Sequence, residues 1–276
     1  MTCTFTRYLY EKTEVMHSLL FALLERRREE ALFWTYELYF SGFEEDLEAW
    51  IRWIYYTFYS IQNTMFTEIL EINLSRLRTL TVSVLRDCIF GTIVSNLAHR
   101  AYDVQQFTLD YLQLNIDTHL VSIMNHRVLI RFLPRDLLKY ETVDICKGNP
   151  RYYLQEVSLY SIRKNESMFL RKYIASSHET TEYSAQDYLQ NWLFHISETR
   201  IWRSILEKYP SFYINTTTQT ATFTSDDDLE LFHEQYGLEP DEQPVEIHLA
   251  HGIDVHNTGV FSAILPETFL QTYRVV

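Results

Sequence analysis

The chain has 276 residues, of which 46% are hydrophobic and only six are glycine; this composition excludes a disordered chain and predicts long helices. Cys3, Cys88 and Cys146 are far apart and form no C-x-x-C pair, which argues against a disulfide framework and favours a reducing compartment. The net charge of −13 is concentrated near the C-terminus, because residues 209–273 include eleven acidic residues and no lysine or arginine.

Two helices are predicted first along the chain. The first begins at Thr13, a plausible N-cap, and ends near the arginines at 26–28, whose charge favours a helix C-terminus. The second covers Glu29–Phe40 and stops at Gly42, which suits a C-terminal cap. Because this second helix is apolar on nearly every side, it is predicted to be the central helix of a bundle.

A third helix is indicated by apolar residues that recur at helical spacing from Leu47 to Ile61. Such a continuous stripe on one face is typical of a helix packed on a core. The segment 29–59 devotes twelve of its 31 positions to aromatic rings. These rings are therefore predicted to lie inside the fold and not to line a ligand site.

Glu37 is a carboxylate in the most apolar predicted helix. Burial raises the pKa of a carboxyl group unless a cation or hydrogen-bond donors compensate, and perturbed carboxylates occur at functional sites. The favoured interpretation is an internal ion pair, with Arg52 or Arg28 as the partner, or a hydrogen bond from a tyrosine.

Six further helices are predicted, and the region 142–165 is a candidate loop or domain seam. The helices are Met65–Leu80, Val82–Leu97, Tyr102–Leu114, Arg135–Tyr140, Ser167–Ala175 and Ala185–Lys208. Short connections between helices imply antiparallel neighbours. The predicted fold class is mainly α, an irregular multi-helix bundle or a stack of helical hairpins over residues 1–208.

Residues 209–276 are predicted to form a small acidic region with short strands. Phe212–Thr224 is rich in β-branched residues, and Val245–Leu249 alternates between apolar and polar residues, which favours strands. A short acidic helix at Asp228–Tyr236 separates the two segments.

No catalytic residue, cofactor or small-molecule substrate is predicted. The glycines are isolated, so no glycine-rich loop is present to bind phosphates, and no G-x-S-x-G motif occurs. The acidic run 226–228 with Glu230 could gather Mg²⁺ or Ca²⁺, but it lacks the spacing of a calcium-binding loop. A solvated helix start is the favoured interpretation of this run.

The best candidates for metal ligands are four residues near the C-terminus, with His233 upstream. They are His248, His251, Asp254 and His256. Imidazole and carboxylate groups together suit zinc, but on a strand the first two histidines point to opposite faces. We therefore predict surface and loop histidines without a bound metal.

The acidic region is predicted to bind a basic protein surface, with the alternative that its charge only maintains solubility. The interacting residues are Asp226, Asp227, Asp228, Glu230 and Glu234. Basic residues are scattered among acids, which argues against direct nucleic-acid binding. The apolar run 18–24 is too short for a membrane span and is not preceded by the basic segment of a signal peptide, so no membrane partner is expected.

The segment Glu29–Glu44, with the sequence EEALFWTYELYFSGFE, resembles a segment of poorly characterised proteins of nucleocytoplasmic large DNA viruses. The resemblance implies a viral protein located in a cytoplasmic viral factory or in the virion, and it carries no catalytic residues. Our leading hypothesis is a non-enzymatic structural or interaction protein, a minor virion or capsid-associated component. The alternatives are an accessory factor of viral transcription or replication and a diverged enzyme centred on Glu37 or the histidines.

Overall fold

The computed structural model describes residues 4–116, 129–141, 153–174 and 185–274. Within these ranges the chain is mainly α-helical, as predicted. The elements of the first half are α1 (Lys12–Leu24), α2 (Arg28–Ser41), α3 (Glu44–Ile54) with a π-helical turn at Tyr55–Tyr59, α4 (Phe66–Thr79), α5 (Ser83–Leu97), and α6 (Gln105–Phe107) with a π-helical turn at Thr108–Leu112.

The second half adds shorter helices and one hairpin. They are α7 (Pro134–Glu141), α8 (Tyr153–Val157), α9 (Lys164–Ile174), α10 (Ala185–Ser197), α11 (Arg200–Leu206), β1 (Phe212–Asn215), β2 (Thr220–Phe223), α12 (Asp226–Tyr236), a 3₁₀ turn (Pro240–Glu242), α13 (Val245–Ala250) and α14 (Pro266–Tyr273). The strands pair in antiparallel register, with Phe212 opposite Phe223. Among the described helices, none combines the length and apolarity that crossing a membrane requires.

The helix α2 lies at the centre of the bundle. It packs most extensively on α1 and α5 and also contacts α3, α7 and α11. Nearly all of its residues are buried, which confirms its predicted central position. The helix ends at Gly42, whose φ of 94° lies in the left-handed region and whose N–H donates to the carbonyl of Leu38. The predicted C-terminal cap is therefore confirmed.

Most of the aromatic rings between residues 29 and 59 form core contacts, as predicted, whereas Tyr56 is 48% exposed. Phe33, Trp34, Trp50 and Phe58 are exposed by only 5%, 0%, 8% and 1%. Trp34 packs edge-to-face on Tyr10 with ring centroids 5.1 Å apart, the geometry that aromatic quadrupoles favour. These rings contact neighbouring side chains of the same chain, and they stabilise a scaffold.

The N-terminal segment 4–11 is buried within the bundle, and no sequence pattern predicted its position. The prediction of Thr13 as the first N-cap is wrong. The cap is Glu11, whose Oε2 accepts a hydrogen bond of 2.8 Å from the N–H of Glu14. A carboxylate can serve as a cap in place of a hydroxyl because it also accepts from a first-turn N–H.

Two predicted helices are shorter or more interrupted than expected. The regular part of the third ends at Ile54 and gives way to the π-helical turn, and Ile61 is 45% exposed and outside the core stripe. The predicted helix Ala185–Lys208 breaks between α10 and α11, where the hydroxyls of Ser197 and Thr199 donate to nearby carbonyls. Such local hydrogen bonds compete with those of a continuous helix.

Predictions for three further segments have different outcomes. The predicted helix Tyr102–Leu114 is confined to Gln105–Leu112, including its π-helical turn. Ala175 and part of the predicted seam, residues 142–152, lie outside the described residues. The described remainder of the seam contains α8 and the loop before α9.

The prediction of a strand at Val245–Leu249 is wrong, because this segment belongs to α13. Pro244 precedes the helix, a position where its missing N–H costs nothing, and five alternating residues are too few to distinguish strand from helix. The strand character predicted for Phe212–Thr224 is confirmed, since β1 and β2 lie in this segment and pair with each other. The acidic helix begins at Asp226, two residues before its predicted start.

Residues on both sides of position 208 share one buried cluster. Phe269 of α14 lies 5.2 Å from Phe107 and 5.0 Å from Phe169 between ring centroids. The ring of His251 stacks on Tyr10 at 4.3 Å. The predicted boundary at residue 208 therefore marks a change of composition, and the hydrophobic core continues across it.

Candidate functional site

The buried carboxylate of Glu37 forms an ion pair, as the sequence analysis favoured, but with a different partner. Its side chain is 0% exposed, and Oε2 accepts a hydrogen bond of 3.0 Å from Nε of Arg7. Oε1 accepts a second bond of 3.0 Å from the N–H of Tyr8. The predicted partners are wrong, since Arg52 pairs with glutamates of α3 and α4, and Arg28 pairs with its neighbour in sequence.

Arg7 connects its own N-terminal segment to three helices, α2, α7 and α11. Its guanidinium donates to the carbonyl of Tyr140 at the end of α7, over 2.6 Å. Its own carbonyl accepts a bond of 2.5 Å from the indole of Trp202 in α11, and its N–H donates to Ser41 over 2.8 Å. Because Glu37 and Arg7 are enclosed and fully bonded to each other and to the backbone, they fit a structural role.

His248 of α13 and His251, the residue directly after the helix at its C-cap, are both buried in the protein. His248 contacts the carbonyl of Pro240 over 2.7 Å through Nε2. In His251, Nδ1 donates to the carbonyl of Leu9 over 3.2 Å, and Nε2 accepts from the hydroxyl of Ser158 over 2.7 Å. Burial lowers the pKa of His251 to about 3, so the ring is neutral near pH 7.

The other two metal candidates lie apart from these histidines. The carboxylate of Asp254 accepts from the N–H of Gly259 over 2.8 Å and from the hydroxyl of Thr258 over 3.1 Å, which organises the local turn. His256 is exposed. In the part of the chain that the structure describes, no three His, Cys, Asp or Glu side chains are grouped as a metal site would require.

Four of the five predicted interaction residues are exposed on α12. They are Asp226, Asp227, Glu230 and Glu234, called here the α12 acidic face. Asp228 differs, because it is half-buried and accepts hydrogen bonds from the N–H and the hydroxyl of Ser211, over 3.2 and 2.6 Å. Asp228 therefore fastens α12 to the hairpin and is not available as a contact.

The α12 acidic face has no neutralising cation within the described ranges of the chain. None of its four carboxylates forms an ion pair with a lysine or arginine there. Acids of the helical body differ, since Glu25 and Glu30 both pair with Arg163, and Glu11 pairs with Arg171. Leu231, 52% exposed, lies beside the acidic face and adds an apolar contact area.

The sequence analysis missed a cluster of charged residues between α1 and α9. Lys164 and Arg171 of α9 lie against Glu14 of α1, whose side chain is 1% exposed. A carboxylate in a mostly apolar helix was the available signal, the same signal that selected Glu37. The partners could not be inferred, because they lie about 150 residues away in the sequence.

Comparisons with known proteins add no relative. The chain matches no protein-family model, no curated protein and no solved structure. The resemblance of Glu29–Glu44 to viral proteins stays a prediction.

Proposed function

We propose that the protein is a non-enzymatic interaction protein whose α12 acidic face docks onto a basic protein surface. The observation that carries this proposal is the grouping of four exposed carboxylates on one helix without a cationic partner among the described residues. Complementary charge accelerates the encounter of two proteins and selects among partners.

The inner side of α12 holds the acidic face in a fixed orientation. Phe232 is 0% exposed, and its ring lies 6.0 Å from that of Trp202. Tyr236 packs edge-to-face on the same indole at 5.3 Å. A surface ordered before binding loses less conformational entropy when a partner arrives, which supports docking by this face.

A basic protein is the partner chemistry that fits this face. Phosphate groups of a nucleic acid would be repelled by carboxylates, because nucleic-acid binding depends on lysine and arginine at the contact. Contacts between exposed charges are screened by salt, with a Debye length of about 8 Å at physiological ionic strength. Binding through the α12 acidic face should therefore weaken as the salt concentration rises.

The resemblance of Glu29–Glu44 to viral proteins supports a viral setting for this proposal. We propose a minor virion or capsid-associated component that docks onto a basic particle protein, present in the virion and in the cytoplasmic viral factory. An accessory role in viral transcription or replication would use the same face with a different partner. The identity of the partner separates these two roles.

The test compares two variants with equal changes in charge. In the first, the α12 acidic face is neutralised by Asp226→Asn, Asp227→Asn, Glu230→Gln and Glu234→Gln. In the matched control, four other exposed carboxylates that form no ion pair in the described ranges are neutralised by Glu45→Gln, Glu156→Gln, Glu207→Gln and Glu267→Gln. Each protein is produced in infected cells and treated with a carbodiimide, which joins a carboxylate directly to a lysine in contact with it.

We expect crosslinks from α12 to one basic protein with the wild type and the control, and their loss with the α12 variant. A particle protein as the crosslinked partner supports the virion role, and a polymerase or replication subunit supports the accessory role. Retention of the same partner by the α12 variant, or insensitivity of the complex to salt, would refute docking through this face.

A further inference from the structure

The helix α4 is apolar on two opposite sides. Its inner side holds it on the core through three buried residues, Phe66, Leu70 and Leu74. On its outer side, Ile72 at the middle of the helix is 43% exposed, and Met65, directly before the helix, is 67% exposed. Positions seven residues apart lie on the same face of a helix, so these two side chains belong to one exposed side.

The outer side of α4 carries exposed residues at helical spacing along its whole length. They are called here the α4 ridge and are Met65, Glu68, Ile72, Arg76 and Thr79. Apolar exposure also continues beyond both ends of the helix, at Ile61 before it and at Val82 after it. Exposed apolar surface bordered by polar residues is typical of a contact with another protein.

Two charged residues lie at equal distances from Ile72 along the ridge. Glu68 is four residues before it and Arg76 is four residues after it, and both are exposed. Neither forms an ion pair in the described ranges, and no opposite charge lies three or four residues from either one in the sequence. Because a helix rises by 1.5 Å per residue, the two are separated by about 12 Å along the axis and cannot pair with each other.

The other two charged residues of α4 are paired with residues of α3. Glu71 contacts the guanidinium of Arg52, and the guanidinium of Arg78 lies 3.7 Å from the carboxylate of Glu48. These pairs connect α4 to α3 and do not involve the two charges of the ridge. The acid and the cation of the α4 ridge are therefore available to a partner.

We propose that the α4 ridge binds the same ridge of a second copy of the chain, with the two helices antiparallel around a two-fold axis at Ile72. In this arrangement, a residue four positions before Ile72 faces the residue four positions after it in the other copy. Glu68 of each copy lies opposite Arg76 of the other, which gives two equivalent ion pairs. Met65 faces Thr79 in the same way, and Ile72 contacts its own counterpart at the centre.

The order of the charges selects a second copy as the occupant of the ridge. An apolar helix side alone would accept many partners, but an acid and a cation at equal distances from an apolar centre match the same sequence read in reverse. A parallel arrangement is disfavoured, because it would place like charges opposite each other. Complementary charges of this kind select a partner and fix the register of the contact.

The two-fold contact closes on itself, so association stops at a dimer. The 14 residues of α4 make a helix about 21 Å long. One helix side of this length corresponds to the smaller class of protein interfaces, which bury less than about 1,200 Å² in total and are transient. The dimer is therefore in equilibrium with the monomer and forms as the protein concentration rises.

A dimer of this kind carries two copies of the α12 acidic face. Two linked sites bind neighbouring copies of a basic partner more tightly than one site does, because the second contact is made within the same complex. This consequence rests on the proposed function, whereas formation of the dimer does not.

Sedimentation equilibrium of the full-length protein over a range of concentrations tests the proposal. The deciding variants reverse one exposed charge of the ridge each, Glu68→Arg and Arg76→Glu. The matched controls reverse two exposed charges after α11, Glu207→Arg and Lys208→Glu. Circular dichroism verifies that every variant is folded. The measurement uses the protein alone, so its outcome is independent of docking through α12.

Two further samples test the register of the contact. The first is an equal mixture of Glu68→Arg and Arg76→Glu, in which every facing pair between unlike copies has opposite signs. The second is the double variant Glu68→Arg, Arg76→Glu, which restores opposite signs within one chain. The apolar centre is tested by Ile72→Ser, with Leu138→Ser at an exposed position of α7 as its matched control.

We expect the wild type and the three control variants to form dimers reversibly. Each single charge reversal replaces two ion pairs by two repulsions and should weaken the dimer by about tenfold. The mixture and the double variant should recover it, and Ile72→Ser should weaken it. A wild type that stays monomeric at all concentrations overturns the proposal. Dimers that persist in both single reversals, or that the mixture does not restore, overturn it as well.

Discussion

Two buried carboxylates, Glu37 and Glu14, illustrate how partners decide what burial does to an acid. Both oxygens of Glu37 accept hydrogen bonds, one from a guanidinium and one from a backbone N–H. Glu14 has a lysine at one oxygen and no partner at the other, and desolvation raises its pKa. The first arrangement fits a structural group, and the second favours a group that exchanges its proton.

Removal of Arg7 should expose the structural importance of the pair with Glu37. Arg7→Met leaves a buried carboxylate without its cation, and we expect the free energy of unfolding to decrease by about 3–5 kcal/mol. The double variant Arg7→Met, Glu37→Gln should recover part of this loss, because no charge remains unpaired. Urea unfolding measures both effects.

The exposed pair of Lys139 and Glu29 serves as the control for this measurement. Lys139→Met should change the free energy of unfolding by less than about 1 kcal/mol, since exposed ion pairs contribute little. If Arg7→Met lowers the free energy of unfolding no more than Lys139→Met does, the buried pair of Arg7 and Glu37 does not stabilise the fold more than an exposed pair.

His251 should make the protein less stable in acid. Its ordinary pKa of 6.5 falls to about 3 in the folded protein, because the ring is buried; the hydrogen bond from Nδ1 to the carbonyl of Leu9 raises the pKa and offsets this effect only in part. The contribution to stability is therefore complete above pH 6.5 and is lost as the pH decreases toward 3. Within this window the free energy of unfolding should fall by up to about 1.4 kcal/mol per pH unit for this one proton.

Urea unfolding of the wild type and His251→Gln between pH 4 and 7.5 measures this dependence. Glu14 is present in both proteins and shifts stability with the opposite sign, so its contribution cancels in the difference. The variant should be less stable at pH 7.5 and should show a shallower decrease toward acid. Parallel curves would mean that His251 keeps its ordinary pKa in the folded protein.

At the residue scale, the sequence could select an anomalous side chain but not its partner. Glu37 stands out in an apolar helix, yet its cation comes from the irregular segment 4–11, for which periodicity makes no prediction. His248 and His251 could be recognised as a group, but only the helix α13 shows that they point inward. The cluster of charged residues at Glu14 depends on contacts between residues about 150 positions apart, which no local pattern encodes.

At the scale of elements, long helices were predictable and short elements were not. The helices α2, α4 and α5 extend over 14, 14 and 15 residues, which is long enough to recognise a helix that is amphipathic, such as α4, or apolar on nearly every side, such as α2. The six residues of α13 offer less than two turns, and their alternation favoured a strand. Tertiary packing decides whether such a short segment becomes a helix or a strand. The difference in local propensity between the two is smaller than the free energy of burying the segment's apolar side chains.

Substitution of alanine for Gly42 or Gly91 should destabilise the protein, for a different reason at each position. Gly42 has a φ of 94° and open space around a notional Cβ, so Gly42→Ala should cost about 1 kcal/mol through backbone strain alone. Gly91 in α5 faces α2 and the segment before α7, and a Cβ there would lie 2.5 Å from the ring of Phe132 and even closer to the hydroxyl of Tyr36. Gly91→Ala should therefore cost more, about 1–3 kcal/mol or above.

Thermal and urea unfolding of the two variants distinguishes strain from overpacking. Asparagine adopts the left-handed region more readily than alanine, so Gly42→Asn should be milder than Gly42→Ala. Phe132→Ala should partly restore stability in the Gly91→Ala background and not in the Gly42→Ala background. An equal response of both alanine variants to Phe132→Ala would contradict the assigned causes.

At the scale of the whole molecule, composition and packing divide the chain differently. The acidic residues after position 208 distinguish the last quarter in the sequence, and charge alone suggested an appended region. The apolar residues of the same quarter join the common core, with Phe269, His251 and Phe232 against rings of the helical body. The pattern of charged residues describes the protein surface. Which core residues contact each other cannot be deduced from one sequence when they are far apart along the chain.

Removal of residues 209–276 should therefore disrupt the helical body itself. The rings of Tyr10, Phe107 and Trp202 would lose His251, Phe269 and Phe232 and would be exposed to water. We expect the fragment 1–208 to bind a hydrophobic dye, to associate in size-exclusion chromatography and to lack a cooperative thermal transition. The full-length variant Phe269→Ala is the milder companion, with an expected loss of about 3–5 kcal/mol because a large buried ring is removed. A monomeric fragment 1–208 with a cooperative transition would instead establish residue 208 as a domain boundary, and the contacts across it would then be an interface between two independently stable units.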